Sequence, residues 1–182
     1  MLNIMSTLNK NLTNQDRLNN VVASLERVPM EIKQSIFDMA SNMSEAEIIQ
    51  NFNQNASDSF NKMIEITTRL QKEKEYNMKG YKVLFDRALK INAKLPVDQF
   101  TLIILEYAAE IYAEEEDCFL NMTIPDVKLN VNNQFGFIRS EMFKKLWRVL
   151  GNQDKEDLKE RIILLTSYAH AYLYKTLLLH NK

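Results

Sequence analysis

Cysteine, glycine and proline are all scarce in these 182 residues, with one, three and three copies. A single cysteine, Cys118, excludes an internal disulfide framework and any multi-cysteine zinc site. Glycine and proline mark turns and are costly inside helices, so their scarcity points to long helices with few connections. An excess of one charge sign is also missing. Lys and Arg number 23 against 24 Asp and Glu, for a net charge of −1, and the sequence pI is about 6.2. A general nucleic-acid binder needs a basic excess to neutralise phosphates, so none is expected. No glycine-rich phosphate loop, GxSxG elbow, HExxH or CxxC is present. The first residues, Met1-Leu2-Asn3-Ile4-Met5, have neither the charged start nor the apolar core of a signal peptide, so a cytoplasmic setting is the expectation.

Hydrophobic residues make up 46% of the chain and charged ones 26%, a composition that supports one well-filled domain. The expected fold is all-α, a bundle of about six or seven helices organised on one long central helix. Its divisions are a flexible N-terminus over 1–12, a helical hairpin region over 13–55, the long helix over 57–95 and a C-terminal helical core over 98–182.

The long helix is read from a heptad seam. Phe60, Thr67, Lys74, Tyr81, Ala88 and Leu95 recur every seven residues, and Met63, Leu70, Asn77, Leu84 and Ile91 follow the same period. A ladder of opposite charges at i,i+4 (Glu65 with Arg69, Arg69 with Glu73, Glu75 with Lys79, Lys82 with Asp86, Asp86 with Lys90) keeps register across the polar middle. Continuous from 57 to 95, such a helix is about 57 Å long and outreaches a globule about 41 Å across. Gly80 beside Asn77 marks the alternative, a break there. A seam that protrudes implies a partner, so a homodimer is expected. The candidate partner-binding residues are Lys74, Asn77 and Tyr81 on the seam and Tyr172 on the apolar last helix.

Local signals set the remaining elements. Thr13 with Asp16, and Ser44 with Glu47, read as helix N-caps. Pro29 suits the first turn of a second helix, and the Asn-rich Gln50–Asn55 reads as a hinge before the long helix. Leu95-Pro96 ends that helix, and Asp98 can cap the next. Val127, Leu129 and Val131 alternate with polar residues in a loop broken by Pro125. Gly151 reads as a C-terminal stop. From Ile162 to Leu179 the chain is nearly all apolar, but three tyrosines, His170, Thr166 and Ser167 dilute it. It is read as a core helix and not a membrane span. His170, buried, would resist protonation and so sense pH.

The one constellation with catalytic potential is Glu106, Glu110, Glu114 and Asp117, at i, i+4, i+8 and i+11. On one helix, such a stripe can hold Mg²⁺ through carboxylate oxygens and position a nucleoside triphosphate, as all-α pyrophosphatases do. The second acidic helix such enzymes need is missing. A DNA-binding helix-turn-helix over Ile32–Phe52 is a further alternative, weakened by Glu45 and Glu47 at the start of its recognition helix. The leading expectation is a non-enzymatic regulator, inhibitor or adaptor that binds another protein, with no metal or cofactor.

Overall fold

Two capping boxes launch the N-terminal half. In a computed structural model that describes residues 13–121 and 140–178, the Thr13 hydroxyl accepts from the Asp16 amide at 3.1 Å. The Asp16 carboxylate accepts from the Thr13 amide in return at 2.9 Å. This starts α1, Asn14–Glu26. After Pro29 comes α2, Met30–Asn42. Ser44 and Glu47 repeat the reciprocal cap and open α3, Glu45–Arg69. The expected flexible segment 1–12 and the loop around Val127, Leu129 and Val131 lie outside the described residues.

At 25 residues, α3 is the longest element described. Ile48, Ile49, Phe52, Ala56, Phe60, Met63, Ile66 and Thr67 are buried at helical spacing along it. The expected hinge at Gln50–Asn55 is therefore wrong. The asparagines occupy the sides of a helix whose apolar period never lapses, and the Asn55 amide donates to the Asn51 carbonyl at 2.8 Å. Thr67, a polar member of the seam, is in the core, its hydroxyl donating to the Met63 carbonyl at 2.9 Å.

The continuous helix over 57–95 is likewise overturned. After Arg69 the chain passes through Gln71 at φ 56°, a single turn α4 (Glu73–Tyr76), and Asn77 at φ 46°. It resumes as α5, Met78–Ile91. Tyr76 and Met78 are both buried. In an unbroken helix they would point about 200° apart; the left-handed Asn77 between them re-aims the backbone so that both reach the core. Asparagine tolerates that conformation better than most residues. Its side chain folds over Gly80, where an added Cβ would come within 2.5 Å of the Asn77 amide. Gln71 has no such affinity for a positive φ. Gln71→Gly is therefore expected to raise stability by about 0.5–1 kcal/mol, relief of left-handed strain exceeding glycine's greater unfolded-state entropy. Thermal denaturation should show Tm about 2 °C higher.

Pro96 opens a helix where it was expected to close one. It sits in the first turn of α6, Leu95–Ile103, where a missing amide costs nothing. A 3₁₀ turn (Leu105–Tyr107), α7 (Ala108–Tyr112) and α8 (Glu116–Asn121) follow. Next come α9, Ser140–Val149, and α10, Asn152–Leu173, which runs into a π turn, Tyr174–Leu178. Gly151 is the extended N-cap of α10 and not a left-handed stop to α9.

The architecture is all-α, with no strand among the described residues. It is built on two helices: α10 lies along α3 in the opposite direction and also touches α2 and α6. Arg69 near the end of α3 meets Asp154 at the start of α10 at 2.6 Å, and Lys62 meets Asp157 at 3.6 Å. On the other side of α3 packs α5, with the Phe60 and Phe85 rings 5.3 Å apart. Phe52 of α3 meets Phe100 of α6 edge-on at 5.3 Å. Of the five i,i+4 pairs expected along 57–95, Lys82–Asp86 forms, at 2.9 Å; Arg69 turns to Asp154 instead.

Neither α1 with α2 nor α2 with α3 forms the expected hairpin. Instead α1 packs on α6, the 3₁₀ turn and α7, while α2 packs on α10 and the π turn. Lysines close both C-termini: Lys33 donates to the Glu26 carbonyl and Lys175 to the Ala40 carbonyl, each at 2.9 Å. Carbonyls left unpaired by a helix end gain most from such a cation, which also complements the dipole. Among the described residues no helix is long and apolar enough to cross a membrane. The expected core position of the apolar C-terminal stretch holds, with Leu165, Ala169, His170, Ala171, Tyr172 and Leu173 all buried.

Candidate functional site

The acidic stripe needs one helix through 106–117, and the backbone does not provide it. Glu106 lies in the 3₁₀ turn, Glu110 in α7, Glu114 at φ 55° in the following turn, and Asp117 in α8. Glu106 is half-buried against α1; burial pushes its carboxyl up, and the Arg17 guanidinium opposes that shift. Glu110 accepts from Arg27, the C-cap of α1, at 2.7 Å. Glu114 lies 3.7 Å from Lys159, and the neighbouring Glu116 accepts from Lys155 at 3.0 Å. The carboxylates thus bind this irregular segment to α1 on one side and to α10 on the other. Among the described residues no three His, Cys, Asp or Glu side chains gather in a metal-binding arrangement.

Two further candidates prove to be interior groups. Cys118 is buried, and desolvation, with Glu110 and Glu115 adding to it, pushes its thiol up to about 12. Such a thiol stays protonated and unreactive near neutrality. His170 is fully buried in α10, with Nδ1 3.2 Å from the Tyr112 hydroxyl and the Tyr174 ring 4.7 Å away. Its Nε2 has no hydrogen-bond partner among the described residues. Burial, aided by Lys33, pulls its pKa down to about 4.

The four expected partner-binding residues separate into two groups. Tyr172 is 7% exposed and donates to the Asp98 carboxylate at 2.7 Å. It fastens α10 to the first turn of α6 and is not open to a partner; Asp98 receives this bond instead of capping α6. Tyr81 is half-buried against the core. Lys74 and Asn77 are exposed. Asn77's conformation makes it a backbone joint, which leaves Lys74 on the open surface.

Beyond Lys74, α5 carries a larger feature that the seam concealed. On α5, Tyr81, Phe85, Ala88 and Leu89 face inwards. At 100° per residue the opposite arc holds Lys79, Val83, Arg87 and Lys90, with Ile91 at its margin. All five are exposed, Val83 by 49% and Ile91 by 69%. Lys72, Lys82 and Lys94 make ion pairs with Glu75, Asp86 and Glu45. Lys74, Lys79, Arg87 and Lys90 make none among the described residues. The charge ladder had assigned Glu75 to Lys79 and Asp86 to Lys90, so these cations looked neutralised. Restarting the helical period at Met78 recovers the row.

Away from this row, where the end of α5 meets α3, runs an open groove of about 570 Å³. Ile49, Asn53, Ser57, Leu89 and Asn92 line it. The Asn53 amide donates to the Ala93 carbonyl at 2.9 Å and holds the turn after α5 against α3.

No protein-family model matches this chain, and no solved structure matches it. Over 170 residues it is 55% identical to the uncharacterized protein R465 of Acanthamoeba polyphaga mimivirus, an alignment that covers 93% of this chain and 94% of the relative. Identity of that extent, along nearly the full length of both, places this protein in one family with the mimivirus protein.

Proposed function

We propose that this protein is a non-enzymatic binding module of the cell interior, a small regulator, inhibitor or adaptor that acts on another protein through the outward face of α5. One observation carries the reading: three exposed cations of α5, Lys79, Arg87 and Lys90, without ion-pair partners among the described residues, share a face with the exposed Val83 and Ile91. Unpaired charge around exposed apolar side chains is what a partner surface neutralises and covers. The seam no longer argues for a second copy, because Phe60, Met63, Thr67 and Ala88 are buried in the chain's own core. Homodimerisation rests instead on Met30 and Phe37, one heptad apart on α2 and 72% and 46% exposed. A mass that stays monomeric at every concentration in sedimentation equilibrium removes that part of the reading.

The test of the face is a comparison of two baits in cells that express the protein. The triple variant Lys79→Glu, Arg87→Glu, Lys90→Glu changes exposed side chains alone, so its Tm should stay within about 3 °C of the parent. It should lose the specific partner that the parent retains. A variant that keeps the parent's Tm and the parent's partner overturns the assignment of this face.

A further inference from the structure

We infer that the segment held by the outward α5 face is an acidic, amphipathic helix of the partner protein. The inference rests on the proposed binding reading and adds the chemistry of the partner. Lys79 and Lys90 are eleven positions apart, about 16 Å along the helix, which is the length of three turns of a facing helix. Lys79, Val83, Arg87 and Ile91 form an i+4 row, the ridge that packs between equivalent ridges of a second helix. Val83 and Ile91, two turns apart, offer that helix two apolar contacts, and Lys79, Arg87 and Lys90 surround them with positive charge. Carboxylates beside a Leu or Ile stripe complement this pattern in both charge and polarity. Lys82 and Lys94 already hold Asp86 and Glu45, so the receptive row is narrow, one helix wide.

Other occupants fit less well. A peptide bound as a β-strand needs a sheet edge to pair with, and the described residues contain no strand. Nucleic-acid phosphates would match the cations but leave Val83 and Ile91 without a contact, and the chain as a whole carries a net charge of −1. For a lipid surface the outward apolar area is too small, because α5 buries Phe85 and Ala88 in its own core.

Fluorescence anisotropy tests this with the full chain and three labelled probes: a helical Glu/Leu peptide of four turns, its Lys/Leu counterpart, and a 20-nucleotide single-stranded DNA. The Glu/Leu helix should bind the parent best, with affinity falling as salt rises. Arg87→Glu with Lys90→Glu should weaken it about tenfold or more, and Val83→Ser several-fold, both at unchanged Tm. Equal binding of the Lys/Leu helix, tighter binding of DNA, or indifference to Val83→Ser each overturns the proposal. So does self-association abolished by Arg87→Glu, which makes a second copy the occupant. If the Glu/Leu helix fails to bind while the triple variant still loses its cellular partner, the acidic-helix inference falls and the binding face stands. If the triple variant keeps its partner, both fall.

Discussion

Acidification from pH 6.5 to pH 4 is expected to remove about 3 kcal/mol of stability through His170 alone. The imidazole is fully buried, and its pKa falls from 6.5 to about 4. Between those values the unfolded chain binds a proton that the folded chain refuses, so stability is complete above pH 6.5 and declines as pH drops towards 4. Each pKa unit is worth about 1.4 kcal/mol, which sets the size of the loss. The surroundings give the cation little in return beyond the Tyr112 hydroxyl, 3.2 Å from Nδ1. Lys33 repels it, the rings of Tyr112 and Tyr174 flank it, and Nε2 has no acceptor among the described residues. His170→Phe keeps an aromatic ring and removes the titration, so the parent Tm should fall by about 10 °C relative to the variant Tm across this window. Carboxylates such as Glu47 and Glu116, held low by their caps and partners, act on both proteins and cancel in the difference. A difference profile flat from pH 7 to 4 would assign all acid sensitivity to those carboxylates.

The second large effect is at Phe85. Its ring is 2% exposed and lies 5.3 Å from that of Phe60, at the centre of the α3–α5 contact. Phe85→Ala should cost about 3–5 kcal/mol, from lost apolar burial and the cavity left behind. That is a large share of the roughly 5–15 kcal/mol by which domains are stable. Two positions along, Arg87→Ala should change stability by no more than about 0.5 kcal/mol. Urea denaturation of the two variants checks which side of α5 faces the core. Comparable losses at both positions would mean that the helix is rotated from the orientation described, and the proposed binding face would go with it.

Much of the fold could be read locally. The caps at Thr13 and Ser44 needed only residues three apart, and each forms as read. The buried C-terminal helix was visible because eighteen nearly apolar residues with interspersed hydroxyls suit a protein interior better than lipid. Errors arose where a periodic pattern spanned a backbone break. The seven-residue period holds on both sides of Gln71–Asn77 because α3 and α5 each bury one face, and counting cannot detect that the chain changes direction between them. The signal was Asn77 three residues before Gly80, a left-handed joint with room for its own side chain. The acidic stripe failed for the same reason, since Glu114's positive φ disperses carboxylates that share one line in the sequence. The cation row stayed hidden because ladder partners were assigned along the chain, although Arg69 finds its carboxylate 85 positions away.

The bond from Lys175 to the Ala40 carbonyl spans 135 positions, and it bears on how the protein is made. The surfaces on which α2 rests, α10 and the π turn, are the last parts of the described chain to be synthesised. Until then Ile36 and Ala40 have no core to enter, and the C-terminus of α2 has no cation to close it. Folding therefore cannot simply follow synthesis from the N-terminus. An early amphipathic helix must wait, open to water and to chaperones, for a late one. Truncation ahead of residue 174 should accordingly loosen α2, far from the cut in sequence.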